Sequence, residues 1–373
     1  MKNYFPQGIV THKAFCNRHK ERAALVSSIK MHEHIVLVAP RRYGKTSLIT
    51  QVLEENDFPG SQIDLFFVLT QGEVVQTISE GISKIISMLL PKSKSAAQGI
   101  INTIVALNPK LTFNVFGQKL EISTKQSTEK SISELLLALD QFAVKANKSC
   151  VVILDEFQQV GELKESHGVE AAIRHAVERS KNVSYIFCGS KRHLLNKMFS
   201  DKSRPLYHLC DLMNIDRISS ESYITFLKEM ADKKWGKSLS LDAIHEILHL
   251  TENHPYYVNA LCRRLWHAEN IPTLSDAMNT WAEYVNQQAE WITDDLSSLT
   301  LNRRKVLTAL ALQPTHAPLS QAFSLKSELG TSGIQKCLND LKKMDMIFIT
   351  QDEQYRVLDP AIAYFIRQHS SRS

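Results

Sequence analysis

The chain has 373 residues, 43% of them hydrophobic and 22% charged, and its 44 Lys and Arg against 39 Asp and Glu give a net charge of +5. That length exceeds one ordinary hydrophobic core and implies several domains, while this balance excludes a disordered chain. The longest apolar runs fall short of the roughly 20 residues a bilayer requires, and the first residues lack the charged-then-apolar layout of a signal peptide, so no membrane span is expected and the expected address is cytoplasmic.

Residues 35–46, IVLVAPRRYGKT, form an apolar run and a loop that closes on Gly-Lys-Thr and runs into Ser47. The pattern is that of a buried strand, a phosphate-binding loop and a helix start. Ala39, Pro40, Arg41, Arg42, Tyr43, Gly44, Lys45, Thr46 and Ser47 are therefore candidates to surround the phosphates of ATP. Gly44 permits close backbone approach, Lys45 neutralises charge on the β and γ oxygens, and the Thr46 hydroxyl is a ligand for Mg²⁺. Ala39 stands where the usual pattern has its first glycine, the mildest replacement available.

The stretch from Asp64 to Ser149 reads as insertion-like, with polar segments at 92–97 and 125–133 that suit loops or helix beginnings. Within it, 111–116 and 119–123 alternate around Gly117 as a hairpin would. Residues 150–156 form another β-branched run, ending in Asp155 and Glu156. Adjacent carboxylates at a strand's C-terminal edge, about a hundred residues after a phosphate loop, look like a Walker B element. In that reading Asp155 completes the Mg²⁺ shell beside Thr46, and Glu156 polarises the attacking water. A third strand at 184–188 stops at Gly189-Ser190. Ser190 is a candidate sensor of the γ-phosphate, or a cap on the helix expected at 191–199, and the two roles are compatible. The six cysteines (Cys16, Cys150, Cys188, Cys210, Cys262 and Cys337) include no C-x-x-C pair and read as reduced residues.

PRRYGKTSL, ILDEFQQV, FCGS and HPYYVNALCRRLW, with Phe15, Arg18 and Glu21 ahead of the loop, together resemble the archaeal-type ATPase family, in the AAA+/STAND branch of P-loop NTPases, which also occurs in bacteria. The resemblance implies an α/β P-loop NTPase, its parallel sheet flanked by helices on both faces, followed by a small helical lid and a C-terminal winged helix-turn-helix. The expected boundaries are 1–218, 219–296 and 297–373. It also implies Mg-dependent ATP binding and hydrolysis, coupled to movement of the winged helix. The alternative is a slow or non-hydrolysing switch. Association into a homo-oligomer is expected only because relatives of the family assemble.

Ser219 to Ser222 resemble a capped helix start that opens the lid. Asn253, His254 and Pro255 match the family segment whose backbone approaches the nucleotide, which implies that His254 reports nucleotide state; a helix-capping role stands beside it. Residues 245–249 fit H-E-x-x-H, yet Ile244, Ile247, Leu248 and Thr251 supply an ordinary packing stripe with His245 and His249 beside it, so zinc chemistry is rejected. Arg204 is the leading candidate for an arginine finger, with Arg192, Arg41 and Arg42 as alternatives and a solvated surface role as the plainer reading.

From Ser297 onward, helices at 303–312, 320–324 and 332–344 and a hairpin through Phe348, Tyr355 and Arg356 read as a winged helix-turn-helix. On the third helix Ile334, Leu338 and Leu341 should pack inward, leaving Gln335, Lys336, Asn339, Lys342 and Lys343 outward. Ten basic residues against six acidic ones give this segment +4 of the chain's +5. Such a surface suits double-stranded DNA, and it equally suits a protein partner.

Overall fold

The computed structural model describes residues 3–91, 93–107, 111–114, 119–122, 128–350 and 352–370. It divides into two compact units: one comprises Arg18–Arg41 and Lys45–Asp216, the other Met1–Asn17, Arg42–Gly44 and Arg217–Ser373.

The first unit is built on strands β1 (Ile35–Val38), β2 (Gly60–Asp64), β5 (Cys150–Asp155), β6 (Val183–Gly189) and β7 (Asp211–Asn214), in the order β2-β5-β6-β1-β7, with every pairing parallel. A separate antiparallel hairpin pairs β3 (Leu111–Asn114) with β4 (Lys119–Ile122). These are the expected hairpin strands; residues 115–118 and 123 lie outside the described residues. Helices α1 (His19–Lys30), α2 (Lys45–Glu55), α3 (Gln71–Leu89), α4 (Lys94–Leu107), α5 (Thr128–Ala146), α6 (Gln158–Glu162), α7 (Ser166–Val177) and α8 (Arg192–Ser200) complete the unit. β1 and β6 are buried along their whole length, because strands covered on both faces need continuous apolar side chains. The edge strand β7 is mostly exposed. Val36, Val152, Leu154, Tyr185 and Phe187 of the sheet share a core with Ile78 and Ile82 of α3 and Leu139 and Phe142 of α5.

The second unit holds α9 (Ser220–Trp235), α10 (Leu241–Thr251), α11 (Pro255–Leu265), α12 (Leu274–Gln287) and α13 (Ala289–Ser297), the helices expected as the lid. Ser219 caps α9 as the sequence suggests, its hydroxyl accepting from the Ser222 amide. On α10 the residues Ile244, Ile247, Leu248 and Thr251 are buried, while His245 and His249 point outward. Then follow α14 (Leu301–Leu312), α15 (Gln321–Ser327), α16 (Thr331–Lys343), the antiparallel wing β8 (Ile347–Ile349) and β9 (Tyr355–Val357), and α17 (Pro360–Ser370). This is a winged helix-turn-helix closed by one more helix, α17, which the sequence reading lacked. Helix α17 packs on α10, α12 and α14, so Trp281 of α12, Leu310 of α14 and Ile366 of α17 belong to one continuous core. Among the described residues no helix is long and apolar enough to cross a membrane.

Candidate functional site

The register of the sheet brings the sequence motifs together. Val38 of β1 pairs with Gly189 of β6, and Leu154 of β5 pairs with Phe187 of β6, so the C-terminal ends of three adjacent strands carry the Ala39 loop, Ser190 and the Asp155-Glu156 pair. In open parallel sheets that edge is where ligands bind. The loop after β1 turns through left-handed conformations at Arg42 (φ 65°) and Gly44 (φ 83°), and the second is one that glycine alone adopts without strain. Ala39 is buried and takes no left-handed conformation, so the missing glycine costs the loop nothing there. Lys45 opens α2, is only 8% exposed, and donates from Nζ to the carbonyls of Ala39 (3.0 Å) and Pro40 (3.2 Å). Its ammonium thus turns back onto the first residues of the loop. Thr46 and Ser47 follow in the first turn of the same helix.

Both carboxylates are held by donors. Asp155 Oδ2 accepts from Gln62 Nε2 at 2.5 Å, and Oδ1 accepts from the Cys188 thiol at 3.2 Å and the Glu156 amide at 2.9 Å. Glu156 stands in a left-handed conformation (φ 50°), and its Oε2 accepts from Gln158 Nε2 (2.5 Å), Ser190 Oγ (2.8 Å) and the Ser190 amide (3.3 Å). Burial pushes the Glu156 carboxyl up. The bonds from Gln158 and Ser190, with the nearby Lys45 charge, outweigh that and hold it below its ordinary value. Ser190 is buried and also accepts from Arg41 Nε at 3.1 Å. It does not cap α8, whose N-cap position is Lys191 without a side-chain bond.

In the second unit the loop tip Arg42–Gly44 keeps its own company. The Arg42 guanidinium lies over the rings of Tyr256 (4.5 Å) and Trp291 (5.9 Å). The Tyr43 ring meets His254 edge-on at 4.8 Å, and His254 meets Tyr257 at 5.0 Å. His254 occupies the N-cap position of α11, ahead of Pro255 at its first turn, but makes no capping bond; its buried Nδ1 has no hydrogen-bond partner among the described residues. Burial, reinforced by the Arg217 and Arg42 charges, drives the imidazole well below its usual range and keeps it neutral. Arg217 donates to Tyr43 Oη (3.2 Å), to Glu252 Oε2 (2.9 Å) and to the Leu358 carbonyl (2.8 Å). Glu252 also faces Arg356 and Arg367, each at 3.5 Å.

Arg204 does not stand free for a neighbour. Its guanidinium is bound by Glu170 of α7, a carboxylate with 0% exposure, which gives it a partner inside its own unit. Arg192 is half-buried at the start of α8. On α16 Ile334, Cys337, Leu338 and Leu341 are buried and Gln335, Lys336, Asn339, Lys342 and Lys343 exposed, as the spacing predicts. Sequence reasoning missed Gln62, Gln158, Cys188, Arg217 and Glu252. Gln158 and Cys188 lie within quoted motifs, Gln158 on the turn just after the carboxylates and Cys188 two residues before Ser190.

Residues 15–261 match a family described as an ATPase domain predominantly from Archaea, and 293–368 match a probable winged helix domain. No curated protein matches the chain. Among solved structures, the Walker-type ATPase of Pyrococcus abyssi aligns over 98% of this chain and 99% of its own, with a TM-score of 0.70 at 19% identity. The ORC2 protein of Aeropyrum pernix, solved in ADPNP and ADP complexes, aligns over 100% and 99%, with a TM-score of 0.56 at 13% identity. At these identities the likeness is one of fold.

Proposed function

This chain belongs to the family of ATPase domains predominantly from Archaea, and from that membership and its own geometry we propose that it binds and hydrolyses ATP at the loop after β1. The observation that supports this most is the convergence of Lys45, Ser190, Asp155 and Glu156 at the ends of three neighbouring strands. Backbone amides around Gly44 and the Lys45 ammonium meet the phosphate charge. Thr46 and Asp155 are the residues that would hold magnesium, whose role is to neutralise phosphate oxygens; the Asp155 carboxylate, oriented by Gln62 and Cys188, suits a hard cation. With Glu156 Oε2 tied down, Oε1 is the oxygen left to orient a water and accept its proton.

A second reading is a slow switch rather than an efficient enzyme. The donors on Oε2 favour it, because each stabilises the carboxylate and weakens it as a base. In either case the output module is the winged helix. The exposed Lys336, Lys342 and Lys343 on α16, with the segment's surplus of +4, support contact with the duplex DNA backbone.

Steady-state ATP hydrolysis with and without duplex DNA at low salt, with Lys45→Ala as the blank, tests this. Stimulation by DNA is the expected result. Turnover indifferent to DNA would move the winged helix to a protein partner.

A further inference from the structure

We propose that Arg41 is a phosphate-responsive positioning residue that, acting through Ser190, governs how tightly Glu156 is held. The inference rests on the reading of the loop as a nucleoside triphosphate site. A serine hydroxyl has one proton to give. Ser190 spends it on Glu156 Oε2 at 2.8 Å and accepts in turn from Arg41 Nε at 3.1 Å. Arg41 is exposed and makes no ion pair among the described residues. It is a full cation bound to a neutral oxygen, at the mouth of a loop shaped for phosphate.

A phosphate oxygen is a far better partner for guanidinium than a hydroxyl, because charge-assisted bonds are roughly twice as strong as neutral ones. A triphosphate in the loop therefore draws Arg41 away. Ser190, buried at 2% exposure, cannot follow it; its hydroxyl rotates toward the phosphate and its proton leaves Glu156. Oε2 then keeps Gln158 and the Ser190 amide but loses a donor, and the carboxylate becomes a stronger base. A diphosphate leaves Arg41 on Ser190 and Glu156 restrained. The device readies the base only when there is a terminal phosphate to attack.

Two readouts test it. In titrations of a fluorescent non-hydrolysable ATP analogue against fluorescent ADP, wild-type protein should prefer the triphosphate by about tenfold, the worth of one charge-assisted bond. Arg41→Ala should lose that preference, with affinity for the triphosphate analogue falling about tenfold further than affinity for ADP, and Arg41→Lys should restore part of it. In single-turnover hydrolysis the rate changes caused by Arg41→Ala and Ser190→Ala should not multiply in the double variant, because the two act in series on Glu156. A preference kept by Arg41→Ala, or rate changes that multiply, would overturn the relay alone. Wild-type protein that binds neither nucleotide would overturn the ATPase reading with it.

Discussion

Glu156 has one oxygen committed to Ser190 and Gln158 and the other left for water, and the restraint depends on a neighbour with no side chain. A Cβ on Gly189 would lie 1.9 Å from Gln158 Oε1, and Gln158 is itself only 1% exposed, with little room to retreat. Gly189→Ala should therefore leave the fold standing while driving Gln158 off Glu156. Because that bond helps hold the carboxyl below its ordinary value, the acid limb of the kcat–pH profile should move to higher pH; an unchanged limb would separate Gln158 from the chemistry. His254 gives a second test at this scale. Its folded pKa lies well below 6.5, so the unfolded chain binds the proton first as pH falls. The His254 contribution to stability should be full above about pH 6.5 and decline below it, so thermal melts of His254→Phe and wild-type protein between about pH 7 and 5.5 should differ by that decline.

Arg204 and Glu170 join the segment before β7 to α7. Burial pushes the Glu170 carboxyl up to about 7 against the opposing pull of Arg204, a sign that the pair sits where charge is costly. Arg204→Met alone strands that carboxyl and should cost about 3 kcal/mol in urea unfolding, whereas Arg204→Met with Glu170→Leu should recover most of the loss. The same pair shows where sequence reading stops. β1, β5 and β6 were legible because buried parallel strands demand unbroken apolar runs, and α10 because its stripe has helical period. The cap at Ser219 was legible from side-chain chemistry alone. The Arg204 partner was not, since Glu170 lies 34 residues away and only tertiary folding brings them together. Helix α17 was missed for a similar reason: it follows the wing directly and finds its packing partners on helices distant in the chain.

The second unit joins the loop tip to the winged helix through side chains. Arg217 touches Tyr43 on one side and the Leu358 carbonyl before α17 on the other, while Glu252 collects Arg217, Arg356 of the wing and Arg367 of α17. Tyr257 adds a bond to Asp359 at 2.5 Å. If nucleotide in the loop is felt by the winged helix, this network is a physical route for it. Nucleotide addition should change amide exchange in α16 and α17 of wild-type protein, and Arg217→Met should abolish that change while leaving nucleotide affinity within about threefold. In the proposed function one loop binds ATP and one carboxylate turns it over. The most direct measurement follows bound ATP and released phosphate together, in wild-type protein and in Glu156→Gln, with magnesium present. Equal binding in both is expected, with turnover slower by about a hundredfold or more in the variant. Equal turnover in the two, or loss of binding in Glu156→Gln, would contradict it.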